Sequence, residues 1–554
     1  MESPLSHPAA SASPPAEAVG PLLRGLAVLR ALTDAGGRET VADLARSTGL
    51  ARSTVDRVLS TLERMEYLRL ESRDAVLAPR LMELGNAYLS ACRLPDLLGP
   101  TAERLADELD ESVSIAVPDR QFVRFVHQSP RRRAMSLTFR IGDPLPAERG
   151  APGALFAAEW DSSDWAHWRS TRVGVDENES ADFAARTAAA ARDGVSIDDQ
   201  LIEPGLIAVA VPVRAPAGRR VGAVSVVSHT SRHSAKSLAA AVLPRLRSTV
   251  AEMELSLATP KPTPTPTPMD RPEPAATASW THASKLELGP EFVESLARGL
   301  TVLTALGHGS DALPLAAVAT TTGLARATAR RALITLEHLG YVGTDSADSA
   351  DRRLFRPTPR VLELGFAHLS RLTLPQIAQP HLADLVRRVQ DSASMAVLTD
   401  QDILYVARVP TVRIMSVSIS AGTLLPAYAT AMGRVLLADL APDQRALRLA
   451  DSDITALTRH TVTDPGQLAD ILSQVGEEGF ALVDQELEEG LRSLAVPVRD
   501  RGGRAVAAVN VSLHAGRATA EESAAELLPA LREAAARIEA DLHTASRHVR
   551  VPLR

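Results

Sequence analysis

The chain is written twice. Residues 49–68 read GLARSTVDRVLSTLERMEYL and residues 323–342 read GLARATARRALITLEHLGYV, identical at 11 of 20 positions at an offset of 274. Any fold for this sequence must therefore be assembled from two like units. The likeness runs on in both directions: Arg24-Gly25-Leu26 matches Arg298-Gly299-Leu300, and PRLMELG from Pro79 matches PRVLELG from Pro359 at an offset of 280. Residues 194–212 align without a gap to 479–497 at an offset of 285. A period near 280 residues duplicates a whole multidomain unit, whereas solenoid repeats are roughly 20–50 residues long.

The repeated 20-residue stretch predicts a helix. Ala329, Ala332, Leu333, Leu336 and Leu339 fall on one apolar stripe at helical spacing, and Val55, Val58, Leu59, Leu62 and Met65 repeat it. A shorter helical pattern precedes each copy, joined through Gly49 or Gly323. Two helices joined by a glycine-containing turn present the second to the DNA major groove. The outward positions fit that use: Arg52, Ser53, Thr54 and Arg57 in the first copy, and Arg326, Thr328, Arg330 and Arg331 in the second. Guanidinium groups and hydroxyls near a helix start are the chemistry that holds phosphates and reads base edges. An ordinary helical hairpin with a solvated arginine face is the competing reading, and recurrence of the same spacing in both copies weighs against it.

Composition narrows the function classes. The 554 residues carry a net charge of −7, so DNA affinity must come from local arginine clusters and not from a global field. Aromatic residues at 3% argue against base-stacking platforms for single strands. A single cysteine, Cys92, excludes internal disulfides and cysteine-rich zinc sites. No apolar run approaches the length of a membrane span, and the amino terminus lacks a signal-peptide pattern, so the expected location is the cytoplasm, with no membrane partner. No GxxxxGK[ST], HExxH, GxSxG or CxxC motif occurs. The reading is a non-enzyme with no catalytic residues, no cofactor and no metal.

In chain order, residues 1–18 read as a disordered tail and 19–80 as a winged helix-turn-helix domain, with a leading helix over 19–35 and a β-ribbon wing after the recognition helix. Residues 81–258 read as a connecting helix and a larger α+β segment, with a strand over 112–117, where apolar and small polar residues alternate, and further strands over 121–127, 134–141, 206–213 and 221–227. Residues 259–285 form a proline-rich spacer. The second copy repeats the plan over 286–358 and 359–546, with strands at 392–397, 403–409, 414–419, 493–498 and 505–513 closing a mixed sheet. Six extra residues over 344–350 lengthen the second wing. In both copies the connecting helix is expected to run from the PRxxELG motif through Leu89 or Leu369.

This order resembles the IclR family of bacterial transcription regulators, twice over and across nearly the whole chain. The second copy is similar to the branch controlling β-ketoadipate, protocatechuate and 4-hydroxybenzoate metabolism, through Ser295–Leu300 (SLARGL), Tyr405–Pro410 (YVARVP), Leu425–Arg434 (LPAYATAMGR) and Asp484–Ser493 (DQELEEGLRS). The resemblance implies two tandem copies of a winged helix-turn-helix domain followed by a GAF-like mixed α/β effector-binding domain. It further implies a small organic acid as effector and double-stranded DNA as partner, in a homo-oligomer or an intramolecular pseudo-dimer. Carried onto this sequence, the family's pocket is lined by Arg413, Met415, Leu425, Ala431, Met432, Asp484, Leu491, Arg492, Ser493, Asn510 and Ser512. An apolar cup with a few polar donors and a nearby arginine suits a small carboxylate.

The first copy departs from that pattern. Residues 148–153 read ERGAPG where 428–433 read YATAMG, and Arg492-Ser493 is replaced by Ile207-Ala208. Two anion-binding candidates are thereby lost, which leaves the first pocket with a different effector or none. The alternative from another class is a small-molecule sensor or scaffold that no longer reads DNA; salt-dependent, sequence-selective duplex binding separates the two.

Overall fold

A computed structural model describes residues 13–131, 139–171, 177–216, 218–259, 274–307, 312–345, 353–411 and 419–554. The chain divides into two compact units, Met1–Ser370 and Arg371–Arg554. The first contains both helix-turn-helix domains and the first α+β domain; the second is the other α+β domain.

Each helix-turn-helix domain is built from three helices and a ribbon, as expected. In the first copy the helices are Gly20–Asp34, Val41–Thr48 and Arg52–Arg64, and in the second Glu294–Ala305, Leu315–Thr322 and Arg326–His338. Local chemistry sets the boundaries. The Thr40 hydroxyl accepts from the Asp43 amide at 3.1 Å to start the second helix, and Gly49 ends it at φ +67°, a left-handed conformation that glycine enters without a Cβ penalty. Gly323 repeats this at φ +65°. The stripe Val55, Val58, Leu59 and Leu62 is buried, as are Leu22, Leu26, Leu29 and Leu32 on the leading helix. Each such side chain contributes about 1.5–3 kcal/mol on leaving water. The wings are Leu68–Glu71 with Asp74–Leu77 and Val342–Asp345 with Leu354–Pro357. A third strand joins each, Arg38–Thr40 or Leu313–Pro314. These two- and three-residue strands are too short to leave a period in the sequence.

The two helix-turn-helix domains pack on each other about a local two-fold relation, and the reciprocity is exact in numbering. A Cβ on Gly299 would fall 2.5 Å from the Leu22 side chain, while Gly25 faces Leu296 in the same way. The Val293 amide donates to the Thr61 hydroxyl at 2.8 Å, and the Val19 amide donates to that of Thr335 at 2.9 Å. Every member of one set becomes its counterpart on adding 274, the signature of an isologous contact, made here within one chain. Both glycines permit a helix approach that any side chain would prevent.

Past the wings the copies diverge. The first connecting helix runs unbroken over Met82–Cys92, but in the second Gly365 at φ +85° separates a 3-10 turn, Pro359–Glu363, from a short helix, Phe366–Leu369. The continuous second helix expected from the repeated motif is thus corrected. The space at Gly365 is limited by Leu81. Cys92 is half-buried, its thiol pushed up to about 12 by burial, which leaves little thiolate at neutral pH.

Each α+β domain holds a six-stranded sheet. In the second the spatial order is Leu424–Pro426, Asp402–Val409, Ser392–Thr399, Ala505–His514, Leu491–Arg499 and Ala481–Asp484. Every described pairing is antiparallel, so the mixed sheet expected from the sequence is corrected; the one long connection, through the helices between Pro426 and Ala481, runs from one edge strand to the other and still leaves the central pair antiparallel. One face packs on the long helices Leu374–Val389 and Ala520–Ala545 through Ala393, Met395 and Val397. The other supports the helices Ala431–Ala438 and Pro465–Glu478. The first domain repeats the order with Pro144–Pro146, Phe122–Ser129, Ser112–Asp119, Arg220–His229, Leu206–Arg214 and Ser196–Asp199. Of the strands expected over 134–141 and 414–419, residues 134–138 and 414–418 lie outside the described residues, and the remainder carries no strand. The proline-rich spacer is shorter than expected, because a helix, Pro274–Leu288, begins inside it. Residues 13–18, read as tail, are also placed, with the Ala18 amide on the Pro15 carbonyl.

One acid in the first sheet opposes the native state. Asp198 is fully buried, and burial pushes its carboxyl up from 3.8 to about 6 although the Leu201 amide donates to it. The folded chain therefore keeps a proton that the unfolded chain has released, and stability falls as pH rises from about 4 to about 6. Asp198→Asn should remove this slope and stabilise the first effector-type domain above pH 6 by up to about 3 kcal/mol. Denaturant melts at pH 4.5 and 7.5 check it; an unchanged difference between the two pH values counts against it.

Candidate nucleic-acid interface and effector cavity

At the start of the first recognition helix Arg52 and Ser53 are exposed and Thr54 is half-buried; in the second copy Arg326 is exposed and Thr328 half-buried. Neither helix has a side-chain cap; the Thr54 and Thr328 amides bond the Ala51 and Ala325 carbonyls, which leaves the first two amides of each helix to a phosphate. The remaining predicted DNA residues sit differently. Arg57 is exposed, and its Nε donates to the Pro290 carbonyl at 2.7 Å. Arg331 donates to the Glu17 carbonyl at 3.3 Å, and Arg330 pairs with the Glu17 carboxylate. The segment ahead of each leading helix thus lies along the recognition helix of the other copy, and these three arginines hold it there.

In the second effector-type domain a cavity of about 860 Å³ opens between the sheet, the start of helix Ala431–Ala438 and the loop 487–490. Ala431, Met432, Leu491, Ser493, Asn510 and Ser512 all line it, as the resemblance implied. The Asn510 amide donates to the hydroxyls of Ser493 and Ser512 at 2.8 and 2.9 Å. Each serine then has its own O–H to offer elsewhere. Thr430 caps the helix, its hydroxyl accepting from Gly433 at 3.2 Å, and the first-turn amides of Ala431 and Met432 add the positive end of the helix dipole. Tyr405 also lines the space, its phenol pushed up to about 12 by burial and so kept as a donor at neutral pH. Apolar surface comes from Ile419, Val483 and Leu487.

Other predicted pocket residues are elsewhere. Arg492 is buried and forks onto Asp484 at 3.0 and 2.9 Å, with further bonds to the Ala518 carbonyl and the Ser523 hydroxyl. Neither Arg492 nor Asp484 lines the cavity; alternation along a strand turns Arg492 to the face opposite Leu491 and Ser493. Leu425 packs against the adjacent apolar core. Arg413 and Met415 lie outside the described residues.

Sequence reasoning missed the clamp that shapes the cavity. Arg434 is fully buried and bidentate on Glu486 at 2.7 and 2.6 Å, with its Nε on the Tyr428 carbonyl. The second Glu486 oxygen also accepts from the Val462 amide at 2.9 Å. A fork of this geometry ties the cavity's loop to the helix on its other side. Both residues lay inside recognised motifs, but a glutamate between acidic neighbours reads as solvated loop.

A second buried charge group lies in the first unit. Arg124 bonds Asp119 at 2.5 Å, the Gly142 carbonyl at 2.7 Å and Glu363 at 3.3 Å. Glu363 also accepts from the Tyr341 hydroxyl at 2.7 Å and from Arg360 at 3.2 Å. The first effector-type sheet is thereby joined to the second copy's wing and connector.

Comparison with known proteins decides the family. Residues 21–72 and 295–346 match the IclR helix-turn-helix domain, and residues 86–254 and 366–540 match the bacterial transcriptional regulator IclR C-terminal domain. The chain belongs to the IclR family. It is a DNA-binding transcription regulator of that family and not an enzyme, with the family's two-domain unit present twice. Over 274 residues it is 42% identical to the Pca regulon regulatory protein of Pseudomonas putida, a match spanning 47% of this chain and 91% of that protein. It is 32% identical over 259 residues to the p-hydroxybenzoate hydroxylase transcriptional activator of Acinetobacter baylyi, spanning 46% and 93%. Among solved structures, an IclR homolog complexed with 4-hydroxybenzoate from Microbacterium hydrocarbonoxydans is 26% identical, covering 45% of this chain and 98% of its own, at a TM-score of 0.29. Among the described residues no helix is long and apolar enough to cross a membrane, and no group of three His, Cys, Asp or Glu residues could hold a metal ion.

Proposed function

We propose that this IclR-family chain reads an operator of two unequal half-sites with its paired recognition helices, in the cytoplasm, and answers to a small aromatic or β-keto acid held in the carboxy-terminal domain. The response controls catabolism of aromatic compounds. The observation that carries the effector reading is the Ser493–Asn510–Ser512 hydroxyl and amide row facing the first turn of helix Ala431–Ala438 across one cavity. Donors on one side, a helix start on the other and apolar walls between suit a flat ring bearing a carboxylate. The names of the relatives, regulators of Pca genes and of p-hydroxybenzoate hydroxylase, support the same chemistry.

The test is a melting-point screen of the full chain with protocatechuate, 4-hydroxybenzoate and β-ketoadipate. One acid at 100 times its Kd should stabilise the folded state by about 2.7 kcal/mol. Ser493→Ala with Asn510→Leu should lose most of that shift, because it removes two of the three members of the polar row and leaves Ser512 without the amide that orients it. No shift with any of the three, or an undiminished one in the variant, defeats the effector reading.

Arg57, Arg330 and Arg331 engage the flanking segments in this state, so part of the reading face is occupied from within the chain. Salt titration of duplex binding measures the phosphate contacts made. A reader releases counterions, giving a steep negative slope, and Arg52→Ala should flatten it by about one unit.

A further inference from the structure

We propose that the first effector domain is filled by its own Phe139 and closed to acids, so that each chain carries a single effector site. The Phe139 ring stacks on Phe125 at 4.1 Å and 5°. It also packs against the buried cluster of Leu206, Ala208 and Val227, together with Ile202. The offsets between the copies place these residues at the positions of cavity residues in the second domain: Phe125 for Tyr405, Phe139 for Ile419, Ile202 for Leu487, Leu206 for Leu491. Phe139 thus takes the wall position of Ile419 with a larger ring, packed across the cluster that stands where Leu491, Ser493 and Ser512 line the second domain's cavity.

Polar groups are lost in step. Ala208 and Val227 stand for Ser493 and Ser512, so both hydroxyls are gone. Ser225 stands for Asn510 and leaves a buried hydroxyl with no partner among the described residues. Pro152 stands for Met432 and removes one of the two first-turn amides of helix Ala151–Ala157, while Gly150 replaces the capping threonine. The Arg434–Glu486 clamp becomes Ala154 and Leu201. A carboxylate entering here would forfeit its water for an apolar wall, a transfer that buried anions do not survive unpaired. The aromatic fill instead supplies from within the contacts that a ligand ring would bring, and holds the domain permanently in one packed state.

Two experiments on the full chain decide it, and the first does not depend on the effector reading. Phe139→Ala opens an apolar cavity of the kind that stays dry and takes a small neutral aromatic. Benzene should raise the melting point of Phe139→Ala by a few degrees and leave the parent unmoved. An unresponsive variant or an equally responsive parent overturns the proposal, and Phe139→Val with benzene gives the same reading where the alanine variant does not fold. The second experiment rests on the proposed effector class: calorimetric titration of the parent with protocatechuate should give one equivalent per chain. Two equivalents overturn the proposal. No binding at all counts against the effector class, and the benzene result then decides alone.

Discussion

A Gly299→Val chain should keep both effector domains folded yet bind duplex DNA roughly 100- to 10,000-fold more weakly than its parent. The new side chain falls on Leu22, where the leading helices of the two readers approach through paired glycines. A branched side chain cannot be accommodated without parting the helices, since a packed interface yields by tenths of an ångström and not by a methyl diameter. On the proposed operator of two half-sites, the second reader once parted loses its fixed position over the second of them, and with it the effective concentration that a held geometry provides, worth about that many-fold. Anisotropy titration against a duplex selected with the parent chain measures the loss. Leu22→Ala in the same chain removes the obstructing atoms and should restore most of the affinity. Parental binding by Gly299→Val alone would show that the readers work independently of their contact.

Arg124→Leu should be the most destabilising single change in the first effector domain, by about 3–5 kcal/mol. The guanidinium side chain is 1% exposed and its partners Asp119 and Glu363 are 9% and 6% exposed. Removing it strands the Asp119 carboxylate out of reach of water and takes one of the two cations from Glu363, which retains Arg360 and Tyr341. Leucine is the residue at the corresponding position of the second copy, Leu404, where Thr399 stands for Asp119. Arg124→Leu combined with Asp119→Thr copies that arrangement and should recover part of the loss, because the stranded Asp119 charge goes too. Denaturant unfolding followed by tryptophan fluorescence is suited to the measurement, since Trp160, Trp165 and Trp168 cluster with Phe183 in this domain. A loss below 1 kcal/mol would mean that the buried group is solvated in a way the packing does not suggest.

Much of the architecture was legible because duplication prints each signal twice. The recognition helices, their glycine turns and the wings follow from apolar spacing alone, and the second copy removes the ambiguity of the first. What escaped was set by tertiary contact. The break at Gly365 could not be read from PRVLELG when PRLMELG, with the same glycine, gives a continuous helix at Gly85. The short edge strands are held by their neighbours and carry no period of their own. At the cavity, Ser493, Asn510 and Ser512 stand on its wall, whereas Arg492, expected beside them, lies on the other strand face, paired with Asp484. An arginine next to a pocket residue in sequence is on the opposite side of the sheet, and that alternation was available from the strand pattern. Arg434 and Glu486 are 52 residues apart, and nothing local marks them as a pair.

The contact between the readers bears on how such a regulator behaves at low copy number. A protein whose two DNA-binding halves must first find each other occupies its operator in proportion to the square of its concentration when scarce. Here the Leu22–Gly299 and Leu296–Gly25 contacts join halves of one polypeptide. On the proposed reading, in which the paired helices of one chain occupy the operator, occupancy rises in direct proportion to the number of chains, and a cell holding a handful of them would switch its genes without a threshold.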